Sequence, residues 1–75
     1  MNEILKILND IDDSIDWENE EGLIDRHLLD SFGVITLVSE LEDTFLIEVE
    51  ASEIVPDNFN SVQAMWKMIT RLQEE

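Results

Sequence analysis

The sequence has no cysteine, no tyrosine, one histidine, one proline and two glycines, and it sets four Lys plus Arg against 19 Asp plus Glu. Each shortage removes a class of function. Without cysteine there is no disulfide framework, no thiolate zinc site and no cysteine nucleophile. So few basic residues cannot neutralise a run of phosphates, which argues against DNA or RNA as a partner and equally against anionic membrane surfaces. No apolar run approaches the roughly 20 residues needed to cross a bilayer, so direct membrane insertion is not expected. No basic segment with an apolar core opens the chain, and a cytoplasmic address is the expectation.

What is present is 75 residues at a net charge of −15 with 44% hydrophobic content. That content is too high for a disordered acidic tail. It predicts one compact domain spanning 1–75, monomeric, small enough to be marginally stable and weakened further by self-repulsion. Repulsion should hold many carboxylates above their unfolded pKa values, so that stability falls as pH rises through the carboxylate range. Basic protein surfaces are the natural partners of such a charge.

Periodicity gives an all-α reading. Ile4, Leu5, Ile7, Leu8, Ile11 and Ile15 recur at helical spacing, with Asn2 as the expected N-cap. The following stretch, DWENEEGLIDRHLLD, has no sustained period and predicts a long loop, pinned to the core by Trp17, Leu23, Ile24, Leu28 and Leu29. A second helix is predicted over Ser31 to Phe45, with Val34, Leu37, Val38, Leu41 and Phe45 on one face. Phe32, Thr36, Ser39 and Asp43 fall on the other side, flanked by Glu40 and Glu42. LIEVE alternates like a strand but has nothing to pair with, so it predicts an extended connection. ASEIV suggests one or two helical turns, stopped near Pro56. The last helix is expected to open at Asn60, with Gln63 three residues on as in a capping box, and to bury Val62, Met65, Trp66, Ile69 and Leu72. The fold class is thus a small antiparallel bundle of three main helices plus a short one.

Candidate chemistry is sparse. DIDDSIDWENEE has the oxygen density of a calcium loop, but a count from Asp10, Asp12 or Asp16 never puts glycine at the sixth position, where the loop must turn sharply. It reads as a solvated acidic loop. His27 has no second imidazole with which to share a metal, and a hydrolytic triad with Ser31, four residues on, lacks both geometry and a G-x-S-x-G elbow. The tryptophans and phenylalanines have no basic residues between them, so core packing accounts for them better than base stacking. Phe32 is the exception, an aromatic on the face away from the core and adjacent to Ser31, placed as a docking residue or the rim of a pocket. Asp30-Ser31 before a helix is by itself an ordinary N-cap.

The context of that dipeptide carries more. From Gly22 to Leu72 the chain resembles the phosphopantetheine-dependent acyl and peptidyl carrier proteins. The Asp-Ser attachment motif stands as LLDSFG, after a long loop and at the start of the amphipathic helix VITLVSELEDTF, with a short third helix and a capped fourth following in order. Within that family, EEGL with LLDSFG and the later F-x-I-x-V with SE look most like the D-alanyl carrier proteins. Fatty-acid carriers typically have Leu after the serine and then an acidic residue. Phe32 and Gly33 depart from that pattern, as does Thr36 where Glu often stands.

The resemblance implies an acyl-carrier-like fold and a carrier, not an enzyme. A phosphopantetheinyl transferase would place 4′-phosphopantetheine from coenzyme A on the Ser31 hydroxyl. Asp30 would orient the serine and assist at the transferase's divalent-metal site, or cap the helix. An acyl or aminoacyl group, D-alanyl-type or of fatty-acid or polyketide type, would then ride as a thioester. It would be put on by a loading ligase and taken off by a downstream transferase. Phe32, Thr36, Ser39, Glu40, Glu42 and Asp43 are the expected partner-facing residues. The alternative is an unmodified acidic interaction domain, such as a nucleic-acid mimic binding a basic protein, which needs spread carboxylates but has no need of Ser31.

Overall fold

A computed structural model describes residues 2–74 of the chain. Its elements, in chain order, are α1 (Asn2–Ile11), α2 (Ser31–Phe45), a single 3₁₀ turn (Ala51–Glu53), α3 (Pro56–Phe59) and α4 (Val62–Glu74). No strand occurs among the described residues, and the connection expected at LIEVE is irregular from Ile47 to Glu50, after Leu46 turns the chain in left-handed backbone. α1 packs against both α2 and α4, and α3 packs against α4. The all-α bundle read from periodicity is the fold observed.

Burial follows the apolar stripes. Ile4, Ile7 and Leu8 of α1, Leu37, Val38 and Leu41 of α2, and Val62, Met65, Met68 and Ile69 of α4 meet in one core. The long loop contributes Trp17, Leu23 and Leu29 to it, with Ile24 and Leu28 packed at its edge. This pinning explains how some twenty residues without regular structure hold a defined course. Trp17 is 2% exposed, and its indole N–H donates to the Asp12 carbonyl at 2.8 Å. No polar or charged side chain is buried, and no buried side-chain N or O lacks a partner among the described residues.

Four local expectations change. α1 stops at Ile11 rather than reaching Ile15, because Asp12 turns the chain: its Oδ1 accepts the N–H of Ser14 at 2.9 Å and the Ser14 hydroxyl at 2.6 Å. Ile15 still packs against the core, but from the loop. Asn2 is the first residue of α1, and its side chain lies outside the described residues. Pro56 opens α3 instead of only ending what precedes it, since its missing N–H costs nothing in a first turn. The cap of α4 is Ser61, whose Oγ accepts the Ala64 N–H at 3.1 Å. On α4 Met68 is buried where Trp66 was expected. Trp66 is 37% exposed and meets Phe45 edge-on, with ring centroids 6.2 Å apart.

Asn60 does something other than cap. Its Oδ1 accepts the N–H groups of Ile24 and Asp25 at 3.0 and 3.2 Å, its amide nitrogen donates to Asp25 Oδ2 at 3.2 Å, and its carbonyl accepts the Leu23 N–H at 2.9 Å. One residue at the α3–α4 junction therefore fastens the long loop just before it delivers Asp30 and Ser31.

Candidate functional site

The amino end of α2 is built around Asp30. Its backbone is extended, and its Oδ1 accepts the N–H of Gly33 at 2.7 Å while its carbonyl accepts the N–H of Val34 at 2.9 Å. Asp30 is thus a true N-cap, which fixes where the helix begins and makes Ser31 its first residue. The N–H groups of Ser31 and Phe32 lie ahead of the helical ladder and have no intrahelical acceptor. Both side chains are exposed, Phe32 at 83%.

Gly33 is buried beneath this cap. A Cβ there would stand 3.2 Å from both Asp30 Oδ1 and Leu29 Cδ2, so any side chain would push on the cap and on a core leucine together. Glycine at this position keeps the turn tight.

Two hollows flank Ser31. One, of about 480 Å³, is lined by Ser31 and Asp30 with His27 at the rim and by the apolar side chains of Ile24, Ile35 and Ile54. The other, of about 410 Å³, lies between α1 and α2, with Ile7 and Ile11 facing Phe32 and Thr36 and with Asp10 and Glu40 at its edges. A hydroxyl therefore stands exposed at a helix amino terminus, with an apolar groove running from it. An anion attached to that oxygen would meet unpaired N–H groups and the positive end of the helix dipole.

The residues expected to face partners divide. Thr36, Ser39, Glu40 and Asp43 are exposed along α2. Glu42 is half-buried, and its Oε2 accepts the Val49 N–H at 2.9 Å, which ties the connection back to the helix that precedes it. α2 ends at Leu46 in left-handed backbone (φ 54°, ψ 49°), its N–H bonded to the Glu42 carbonyl, and this leucine is 90% exposed. Ile35 and Ile54, both exposed, line the hollow at Ser31, and Val55 adds exposed apolar surface next to Ile54.

Two carboxylates are held below their ordinary range. The Arg71 guanidinium grips Glu53 with both nitrogens, at 2.9 and 2.5 Å, and lowers its pKa, with Asn58 adding a further hydrogen bond. The side chain and N–H of Ser14 do the same for Asp12. Among the described residues no group of three or more His, Cys, Asp or Glu is placed to hold a metal ion. Among the described residues no helix is long and apolar enough to cross a membrane.

No family model and no solved structure matches the chain. Curated proteins do. The chain is 41% identical over 54 residues to the D-alanyl carrier proteins of Streptococcus pyogenes serotype M5 (strain Manfredo), serotype M49 (strain NZ131) and serotype M1. Each alignment covers 72% of this chain and 68% of the relative. The chain belongs to the D-alanyl carrier protein family. The resemblance drawn from LLDSFG and its surroundings is therefore borne out at the level of the branch, and the four-helix architecture agrees with it. Two residues of this D-alanyl carrier family member take a different place from the one expected, Glu42 as a partner-facing acid and Asn60 as a helix cap, and a third, His27, had none assigned. Asn60 fastens the loop, Glu42 holds the connection after α2, and His27 rims the hollow at Ser31. For His27 the only sequence signal was its distance of four residues from Ser31.

Proposed function

We propose that this protein carries an acyl or aminoacyl group, with D-alanyl favoured by the relatives' name, as a thioester on a 4′-phosphopantetheine arm attached at Ser31. The observation that carries the reading is the exposed Ser31 hydroxyl at the first position of α2, set there by the Asp30 cap and bordered by an apolar groove. The arm would supply the thiol that a chain without cysteine lacks. In the transfer the Ser31 oxygen forms a bond to phosphorus, the pyrophosphate bond of coenzyme A breaks, the nucleotide half leaves, and the serine proton passes to the transferase. The residues present fit the product. The N–H groups of Ser31 and Phe32 and the helix dipole favour the phosphodiester by about 0.3–1 kcal/mol at such an exposed site.

Asp30 serves this chemistry by fixing the helix start, so that the hydroxyl stands clear of the backbone. Glu40 and Asp43, exposed on the same helix, offer negative charge to the basic surfaces of a phosphopantetheinyl transferase, a loading ligase and a downstream transferase. Charge of this kind speeds encounter more than it lengthens it, which suits a monomeric cytoplasmic shuttle that must let go. Catalysis belongs to those partners.

The test is intact-mass spectrometry after incubation with coenzyme A and a broad-specificity phosphopantetheinyl transferase. One phosphopantetheine addition is expected, mapping to Ser31 and absent from Ser31→Ala. An unchanged mass, with a control carrier modified in the same tube, would overturn the reading in favour of an unmodified acidic interaction domain.

A further inference from the structure

We propose that His27 is a positioning residue for the arm, donating from its imidazole to the phosphodiester formed at Ser31 and so directing the root of the arm along the groove toward Ile35 and Ile54. The proposal rests on the reading of Ser31 as the attachment point.

The placement of His27 is built into the loop. Its backbone is left-handed (φ 60°) and its N–H donates to the Ile24 carbonyl at 3.1 Å, while the Leu28 and Leu29 N–H groups both reach the Leu23 carbonyl at 2.9 and 3.0 Å. This knot turns the chain back on itself just before α2. It leaves the imidazole exposed at the rim of the hollow that Ser31 and Asp30 line.

The supply of positive charge makes the placement matter. Four Lys plus Arg and one His are all that the sequence offers. Arg26 reaches Glu20 at 2.6 Å, Arg71 is held by Glu53 and does not line the hollow, and Lys6 and Lys67 lie on α1 and α4. Among the described residues only His27 brings a side chain that can become cationic to the lining of that hollow. A phosphodiester at Ser31 would otherwise stand beside Asp30 with only the helix end to favour it.

The charged groups that share His27's surroundings are Asp30, which lines the hollow at Ser31 with it, and Asp12, which joins His27, Asp30, Ile11 and Leu28 around a third, smaller hollow of about 190 Å³. Both are present before and after modification. Comparison of the unmodified and modified forms of one chain therefore isolates the contribution of the phosphate. An opposite charge within hydrogen-bond reach favours the protonated imidazole.

The experiment is an NMR titration between pH 5 and pH 8 of unmodified and phosphopantetheinylated protein, read at the His27 ring nitrogens and at phosphorus. A phosphodiester does not itself titrate in that range, so any inflection in its resonance reports a neighbour. The expected result is a His27 midpoint higher in the modified form by about half a pH unit or more, with a phosphorus inflection at the same pH. In His27→Asn, which keeps a residue tolerant of left-handed backbone, the mass addition at Ser31 should persist and the phosphorus inflection should vanish. Equal His27 midpoints in the two forms would overturn the proposal, as would a phosphorus inflection that survives in His27→Asn. A chain that takes no mass addition overturns the Ser31 reading itself, and this one with it, before any titration begins.

Discussion

The Oδ1 atom of Asn60 accepts the backbone N–H of Ile24 at 3.0 Å across 36 residues of sequence. Few other polar contacts join the long loop to the rest of the bundle, so this amide should matter more than its partial exposure suggests. Asn60→Ala is expected to lower the unfolding free energy by about 1–3 kcal/mol, because it strips the acceptor from two loop N–H groups. Urea denaturation measures the loss, and hydrogen exchange at Ile24 and Asp25 should accelerate more than exchange in α1. Equal acceleration everywhere would mean that Asn60 acts on global stability alone.

Charge reversal separates docking from folding on α2. Glu40→Lys with Asp43→Lys changes two exposed side chains, so the melting temperature should hold or rise while modification and loading slow, most of all at low salt. Glu42→Lys removes the acceptor of the Val49 N–H and should lower stability by about 1–3 kcal/mol. Thermal melts and initial rates on the two variants check both halves. Rates unchanged across salt in the double variant would leave solubility as the only task of those acids.

The pH dependence of Glu53 runs against that expected of the acidic surface as a whole. Its folded pKa is lowered from 4.5 by the Arg71 guanidinium, so its contribution is present above 4.5 and is lost as pH falls through the lower folded value. Self-repulsion gives the opposite slope, with stability falling as carboxylates ionise. Glu53→Gln should therefore be less stable than the parent at neutral pH, and the gap should close in melts as the pH falls below 4.5 and through the lower folded value. A gap of constant size would show that the contact matters only for packing.

Screening gives a further test of the net charge of −15. Moderate sodium chloride or millimolar magnesium should raise the melting temperature at neutral pH. A midpoint that does not move would mean that the surface is compensated locally, in the way that Ser14 compensates Asp12.

Much of the fold could be read from periodicity because the core is made of stripes. α2 ends with the last residue of its apolar face, Phe45, and the loop anchors are the apolar residues that interrupt an acidic run. What could not be read was which of two equivalent devices the chain uses. Asn60 and Ser61 are both good caps, and only packing shows that the asparagine is taken by the loop. Trp66 and Met68 both complete an apolar face with Met65, Ile69 and Leu72. α3 decides in favour of Met68, which lines a hollow beside Asp57 and Asn58. At the candidate site Asp30 and Ser31 were legible by motif. Glu42 was read as partner-facing, and its hold on the Val49 N–H was not legible, because a carboxylate that bonds a backbone N–H seven residues away leaves no local pattern.

The two tryptophans end in opposite circumstances, Trp17 sealed in the core by its bond to Asp12 and Trp66 at the surface against Phe45. With no tyrosine in the chain, ultraviolet emission comes from these two indoles and little else. The buried one sits in the loop that leads to Ser31, the exposed one on the helix farthest along the chain from it. Trp66→Phe would thus leave a protein whose intrinsic fluorescence follows the seating of that loop alone. The molecule would then carry its own optical gauge of the segment that positions its candidate attachment point.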